Sequence, residues 1–337
     1  AGVFPFHVWL PHAHPAAPSH ISAVMSGVMI KTGIYGILRI YVLLEPQTAL
    51  FGEIVLITGM VSGVLGVVYA LGQHDLKRLL AYHSVENIGI ILIGVGIGMI
   101  GVSAGVPVMA VLGFTGGLLH VLNHSIFKSL LFMGAGIVIR NTGTRAIDAL
   151  GGLLKDMKIT GITFLIGSLA ICGLPPFNGF VSEFLVYLAG FKGVAPAGPG
   201  FVWCVLAIVS LAVIGGLALA CFSKVVGVVF QGEPRSRAAR DVDEKGGTML
   251  AALVVLAGAC AVIGVFPGAF VRMALQAVAD LGLPYGRVPE APFLRITENI
   301  TLAAAVFLLV FLMVLALRTL LSRGKTVGRA GTWGCGF

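Results

Sequence analysis

Charged side chains are scarce in this sequence: aspartate, glutamate, lysine and arginine make up 11% of its 337 residues, where a soluble domain carries about a quarter. With 58% hydrophobic residues and a mean hydropathy of +1.02, a soluble domain is excluded and an integral membrane protein remains. Acids are scarcer than bases, 14 against 22. The bases sit in short stretches between apolar runs, with no basic stripe interleaved with aromatics, so the excess reads as a topology signal and no nucleic-acid partner is expected. Cysteine is rare too. Cys172, Cys204, Cys221, Cys260 and Cys335 lie far apart with no C-x-x-C spacing, which argues against an iron–sulfur framework or a zinc ribbon. No Walker loop is present and no dinucleotide fingerprint stands at a strand–helix junction; no cofactor or metal is expected. A basic leader with a cleavage pattern is also missing. The sequence opens on Ala1 inside an apolar, aromatic stretch that reads as mid-helix, so we expect a fragment of a longer polypeptide.

What the sequence has is apolar runs of about 20 residues, the length that crosses roughly 30 Å of hydrocarbon. They fall at 21–44, 51–73, 84–103, 109–139, 159–191, 201–230, 248–267 and 301–318, predicting an all-α, polytopic membrane protein of eight spans with a partial one at the start. Basic residues test the count, because they collect on the cytoplasmic side. Alternate loops hold Lys77 and Arg78, then Arg140, Arg145, Lys155 and Lys158, then Arg235, Arg237, Arg240 and Lys245, then Arg318, Arg323, Lys325 and Arg329. The intervening loops hold Lys192, Arg272, Arg287 and Arg295; fourteen against four supports the count and the orientation. Proline breaks two places, F-P-F-H-V-W-L-P-H-A-H-P-A-A-P at 4–18 and Leu174-Pro175-Pro176-Phe177-Asn178-Gly179 within the fifth span. Backbone freed at membrane depth is tolerated where it faces protein or a wet cavity. Broken helices in corresponding positions of two halves point to transporter repeats, an idea that here rests on these two breaks.

The span at 109–139 carries His120, His124 and Lys128 at i, i+4, i+8, on one face over about 12 Å of rise. Titratable groups are costly in hydrocarbon and by default mark an ion path or proton relay. A zinc reading of H-x-x-x-H lacks a following glutamate and a third soft ligand, and Lys128 would repel the cation. Buried histidines bonded to neighbouring helices are the structural alternative. Lys31, about 15 Å into its span, sits near the midplane, either exchanging a proton or held statically on a helix carbonyl or carboxylate. Glu183 lies two turns past the second break, at the centre of an apolar half-helix, where a carboxylate suits a gate. Glu86 is placed in the first turn of its span and reads equally as a helix-start acid behind Ser84 or as a coupling residue. Lys224 is near enough to the interface to snorkel.

The motifs F-P-F-H-V-W-L-P-H-A-H, M-I-K-T-G-I-Y-G, D-L-K-R-L-L-A-Y-H-S-V-E-N-I-G, H-V-L-N-H-S-I-F-K-S-L-L-F-M and G-L-P-P-F-N-G-F-V-S-E-F together resemble the antiporter-like membrane subunits of respiratory complex I, related to Mrp-type antiporters and membrane-bound hydrogenases. Within that family, S-V-E-N-I-G and the stretch from W-L-P-H-A-H to V-M-I-K are most similar to subunits of the hydrogenase-4 and formate hydrogenlyase type. The resemblance implies inverted five-helix repeats with proline-broken transmembrane helices. Residues 1–46 would be the end of a truncated first repeat, 47–230 the second repeat, and 231–337 C-terminal transmembrane helices with a cytoplasmic tail. It implies a central axis in which Lys31 follows the first broken helix, His120, His124 and Lys128 form the relay, and Glu183 is the terminal acid. It places the family's key lysine ahead of Ala1 and its glutamate partner two helices earlier. The implied function is translocation of protons or sodium ions across a prokaryotic inner membrane. The implied partners are the lipid bilayer, other membrane subunits of a hydrogenase or complex I-like assembly and a peripheral redox arm. The alternatives are an Mrp-type antiporter, an NADH–quinone oxidoreductase subunit and a non-conducting spacer.

Overall fold

The computed structural model describes residues 2–44, 48–194, 200–240, 242–282 and 291–324; Arg287, Lys325, Arg329 and Cys335 lie outside the described residues. These residues form helices α1 (Leu10–Ala16), α2 (Ser19–Gly27), α3 (Thr32–Leu44), α4 (Leu50–Leu71), α5 (Leu76–Ser103), α6 (Pro107–Thr142), α7 (Lys158–Ile171), α8 (Asn178–Val194), α9 (Phe201–Val229), α10 (Gly247–Val265), α11 (Gly268–Asp280) and α12 (Ala291–Leu321). The protein is an all-α polytopic membrane protein. Among the described residues, seven segments are long and apolar enough to cross a bilayer: Ser19–Leu44, α4, α5, α6, α9, α10 and Pro292–Leu321. The expected span at 159–191 is α7 followed by α8, 14 and 17 residues, each short of the length a crossing needs. Glu244, from the loop after α9, accepts from Thr160 N at 2.7 Å at the start of α7, while Gly193 near the end of α8 packs on Cys204 at the start of α9. The two half-helices therefore run from one end of the bundle to the other.

Three of the four loops expected to share a side converge. Asp75 pairs with Ala146 in an isolated bridge, Leu154 N donates to Phe230 O at 2.9 Å, Asn141 reaches Lys245 O at 3.3 Å, and Arg145–Asp75 and Lys155–Glu233 pair at 2.5 and 2.7 Å. This basic end holds Lys77, Arg140, Arg145, Lys155, Lys158 and Arg235.

Three boundaries differ from expectation. The span at 84–103 begins at Leu76, where the Asp75 carboxylate accepts from Arg78 N at 3.0 Å and caps the helix. Glu86 therefore lies ten residues in, so its reading as a helix-start acid is corrected, and Lys77 and Arg78 belong to the first turn. The span at 21–44 is not one helix: α2 and α3 are joined by a 3-10 turn at Met29–Lys31. The carbonyls that this turn frees are taken by side chains, Ser26 O by Lys31 Nζ and Gly27 O by Ser125 Oγ at 2.5 Å. Finally, the stretch around Arg272, expected as loop, is helix α11. It buries Val271, Ala274, Leu275 and Val278, one face at i, i+3, i+4, i+7, and is too short to register as a span. Arg272 lies in α11 and Arg295 in α12, which starts ten residues before the apolar run at 301.

Helix α5 is buried along nearly its whole length and packs between α4 and α6. Small residues permit this: a methyl group on Gly89 would lie 2.4 Å from Gly63 N, and one on Gly66 would lie 2.7 Å from Glu86 N. Close backbone approach is how helices associate where lipid is as apolar as the side chains.

Candidate ion pathway

His120, His124 and Lys128 of α6 are fully buried within the protein, so the ladder faces inward. The neighbouring helices meet it with polar groups. His120 Nε2 is 3.1 Å from Asn87 Oδ1 of α5, and its Nδ1 is 2.9 Å from Ser182 Oγ of α8. Asn123 donates to the same Ser182 oxygen at 2.9 Å and to Asn178 O at 2.8 Å. Both partners lie in the first two turns of α8, just after the break, and Asn178 is at its positive dipole end. Since both ring nitrogens of His120 are engaged, the His120/His124 pair is not arranged as a metal chelate.

Next to Asn87, the buried Glu86 carboxylate hydrogen-bonds Nδ1 of His83, one turn back. Asn87 Nδ2 donates to His83 O at 2.9 Å. The His83 ring lies 4.6 Å from that of Phe222 of α9. Ser84, beside His83, shares a hydrogen at 2.7 Å with Ser26 of α2, whose carbonyl accepts from Lys31. Lys31 is thus buried and held on a helix carbonyl at the 3-10 turn, in the arrangement the static alternative called for. Hydrogen bonds and chain neighbours make one line from Lys31 through Ser26, Ser84, His83, Glu86, Asn87, His120, Ser182 and Asn123 to Asn178, across the 3-10 turn and helices α2, α5, α6 and α8.

Beside this line stand buried polar atoms with no protein partner: both nitrogens of His124, Lys128 Nζ, Glu86 Oε1 and His83 Nε2. Lys128 Nζ lies 5.7 Å from the Phe132 ring centroid, interacts electrostatically with Glu86, and repels Lys31. An unpaired buried polar group costs about 1–3 kcal/mol; several together, all able to take up or release protons, suit exchange better than scaffolding.

Glu183 is placed differently from its neighbour Ser182. It points toward the break, where a methyl group on Gly173 would lie 2.6 Å from its Oε2. Gly173 has φ +62°, a conformation that favours glycine. Among the described residues Glu183 makes no hydrogen bond to the ladder, and the join to α8 is made by Ser182 and Asn178. Lys224 caps α4, donating to Leu71 O at 2.6 Å and Gln73 O at 3.3 Å. Lys77 likewise holds the end of α1 through Ala17 O at 2.6 Å.

Sequence reasoning missed His83, Asn87, Ser182 and His14. His14 is buried, stacks on Phe132 at 4.6 Å, and has neither nitrogen partnered. His83, Glu86 and Asn87 do carry a signal, the i, i+3, i+4 spacing of one helix face.

A polytopic bundle with a buried polar line meeting a broken helix is an arrangement found in membrane transport proteins. The chain is a member of the NADH:quinone oxidoreductase/Mrp antiporter transmembrane family, whose model matches residues 1–215. It is 47% identical over 273 residues to hydrogenase-4 component B of Escherichia coli strain K12, covering 78% of this chain and 40% of that protein. It is 38% identical over 341 residues to formate hydrogenlyase subunit 3 of the same organism, covering 100% of this chain and 54% of that one. The chain thus spans about half the length, or less, of these relatives. In fold it is similar to a chain of the Mrp complex from Dietzia sp. DQ12-45-1b, with TM-score 0.71 and 23% identity, covering 89% of this chain and 58% of that chain.

Proposed function

We propose that this chain is part of a proton-translocating membrane subunit in a complex I-related redox complex of the hydrogenase-4 or formate hydrogenlyase type. It would sit in the prokaryotic inner membrane beside other membrane subunits, while a peripheral arm performs the redox step. Residues 1–46 would close a first antiporter-like repeat, 47–230 would form the second, and 231–337 would add C-terminal helices. The observation that carries the reading is the hydrogen-bonded line joining α5, α6 and α8 at His120, with His124 and Lys128 buried and unpartnered beside it. Lys31, Glu86, His120, His124 and Lys128 are the proposed carriers, and Glu183, aimed at the break, is the proposed exit acid. Moving one charge against 100 mV takes about 2.3 kcal/mol, a scale within reach of protonation changes in such a cluster.

The likeness in fold to an Mrp chain favours one rival, a sodium/proton antiporter. The test is the full-length complex in proteoliposomes enclosing a pH-sensitive dye. Turnover of the redox step should acidify the lumen without sodium, and a protonophore should collapse the signal. A strict sodium requirement would favour the antiporter. No flux under either condition would leave the chain a docking spacer.

A further inference from the structure

On the side of α8 away from the polar line, Phe180, Phe184, Leu188 and Lys192 recur at i, i+4, i+8, i+12. They line a cavity of about 690 Å³ closed by α6 and by Phe293 and Ile300 of α12. The apolar lining and volume are those of a ligand site rather than a packing defect. From Lys192 to Phe180 the crevice runs about 18 Å at helical rise, close to one leaflet of a hydrocarbon core roughly 30 Å thick. Its depth is apolar apart from Asn299 on the α12 wall, and at its mouth, at the end of the bundle opposite the basic loops, stands Lys192. That ammonium is exposed and forms no hydrogen bond or ion pair among the described residues.

We propose that this crevice binds one glycerophospholipid from the leaflet opposite the basic loops, an acyl chain lying along α8 and the phosphate resting on Lys192. The lining chooses lipid over protein: one unpaired cation at the mouth and an almost wholly apolar wall about as long as one leaflet is deep match a headgroup and an acyl chain. The charge chooses the headgroup: a cation at the hydrocarbon boundary with its stem over apolar surface is complementary to a phosphate. The Phe180 and Phe184 rings, stacked at 5.5 Å, form the inner wall. They flank Glu183 in sequence, so the lipid would pack on the half-helix that carries the exit acid. The inference does not depend on which ion is moved.

The test uses the full-length protein, purified and stripped of lipid, with palmitoyl-oleoyl-phosphatidylglycerol added back and retention read by native mass spectrometry. One lipid should survive detergent exchange. Lys192→Gln should weaken its retention about fivefold, Lys192→Arg should keep it, and Leu188→Trp should expel it by filling the crevice. Ala303→Phe, on the α12 wall, repeats the filling test if Leu188→Trp does not fold. Equal retention in the Lys192→Gln and filled variants would overturn the proposal. So would a photo-crosslinker at position 188 that captures polypeptide instead of lipid in native membranes.

Discussion

His120 and Lys128 stand two turns apart on one helix and are held in opposite ways. His120 has a partner for each ring nitrogen, whereas Lys128 Nζ has no hydrogen-bond partner among the described residues. Removing them should therefore have opposite effects on stability. Lys128→Ala deletes a buried cation that no hydrogen bond satisfies among the described residues, so the thermal midpoint of the purified full-length protein should stay level or rise. Ser182→Ala strips a bond from both His120 and Asn123 and should destabilise by about 1–3 kcal/mol, seen as a lowered midpoint in the same assay. The ladder was legible in the sequence because its spacing reports a shared face without tertiary knowledge. Its partners were not. Asn87 and Ser182 each stand 33 and 62 residues from His120 in sequence, and a lone polar residue in an apolar run does not reveal which helix it will meet.

Among the elements, α5 is the one the others pack around, and its contact with α4 is backbone against backbone. Gly89→Val should cost at least 1–3 kcal/mol, as overpacking does, because the atoms it would strike belong to the α4 main chain and not to a movable side chain. Gly215→Ala in α9, where an added methyl meets nothing within 4 Å, should be neutral or slightly stabilising. Expression and thermal unfolding of the two variants side by side check the contrast. The proline break between α7 and α8 was legible, since proline acts on its own backbone. The turn at Met29–Lys31 was not, since it depends on Lys31 and on Ser125 of α6 taking the Ser26 and Gly27 carbonyls. Helix α11 escaped for a different reason: a search for runs of 20 apolar residues passes over 13 residues with one buried face.

At the scale of the whole molecule three of the four basic loops converge on one end, as the distribution of lysine and arginine led one to expect, because that pattern depends on span count and not on packing. Single cysteines replacing Lys155 and Arg235 should label from one side of the membrane in intact cells, and one replacing Ala104 from the other; labelling of all three from a single side would refute the crossing count. The account's central claim is that the line from Lys31 to the break, together with His124 and Lys128 beside it, carries the ion, and that Lys77 and Lys224, which hold helix ends, are structural. Its most direct test is redox-driven proton flux in proteoliposomes holding the full-length complex, comparing Lys128→Ala with Lys224→Ala. The first removes an unpartnered cation beside the line, and the second removes a cap on α4. Lys128→Ala should lower flux on the order of a hundredfold, as loss of a proton-transfer group does, while Lys224→Ala should stay near wild type. Undiminished flux in Lys128→Ala, or an equal fall in both, would contradict the account.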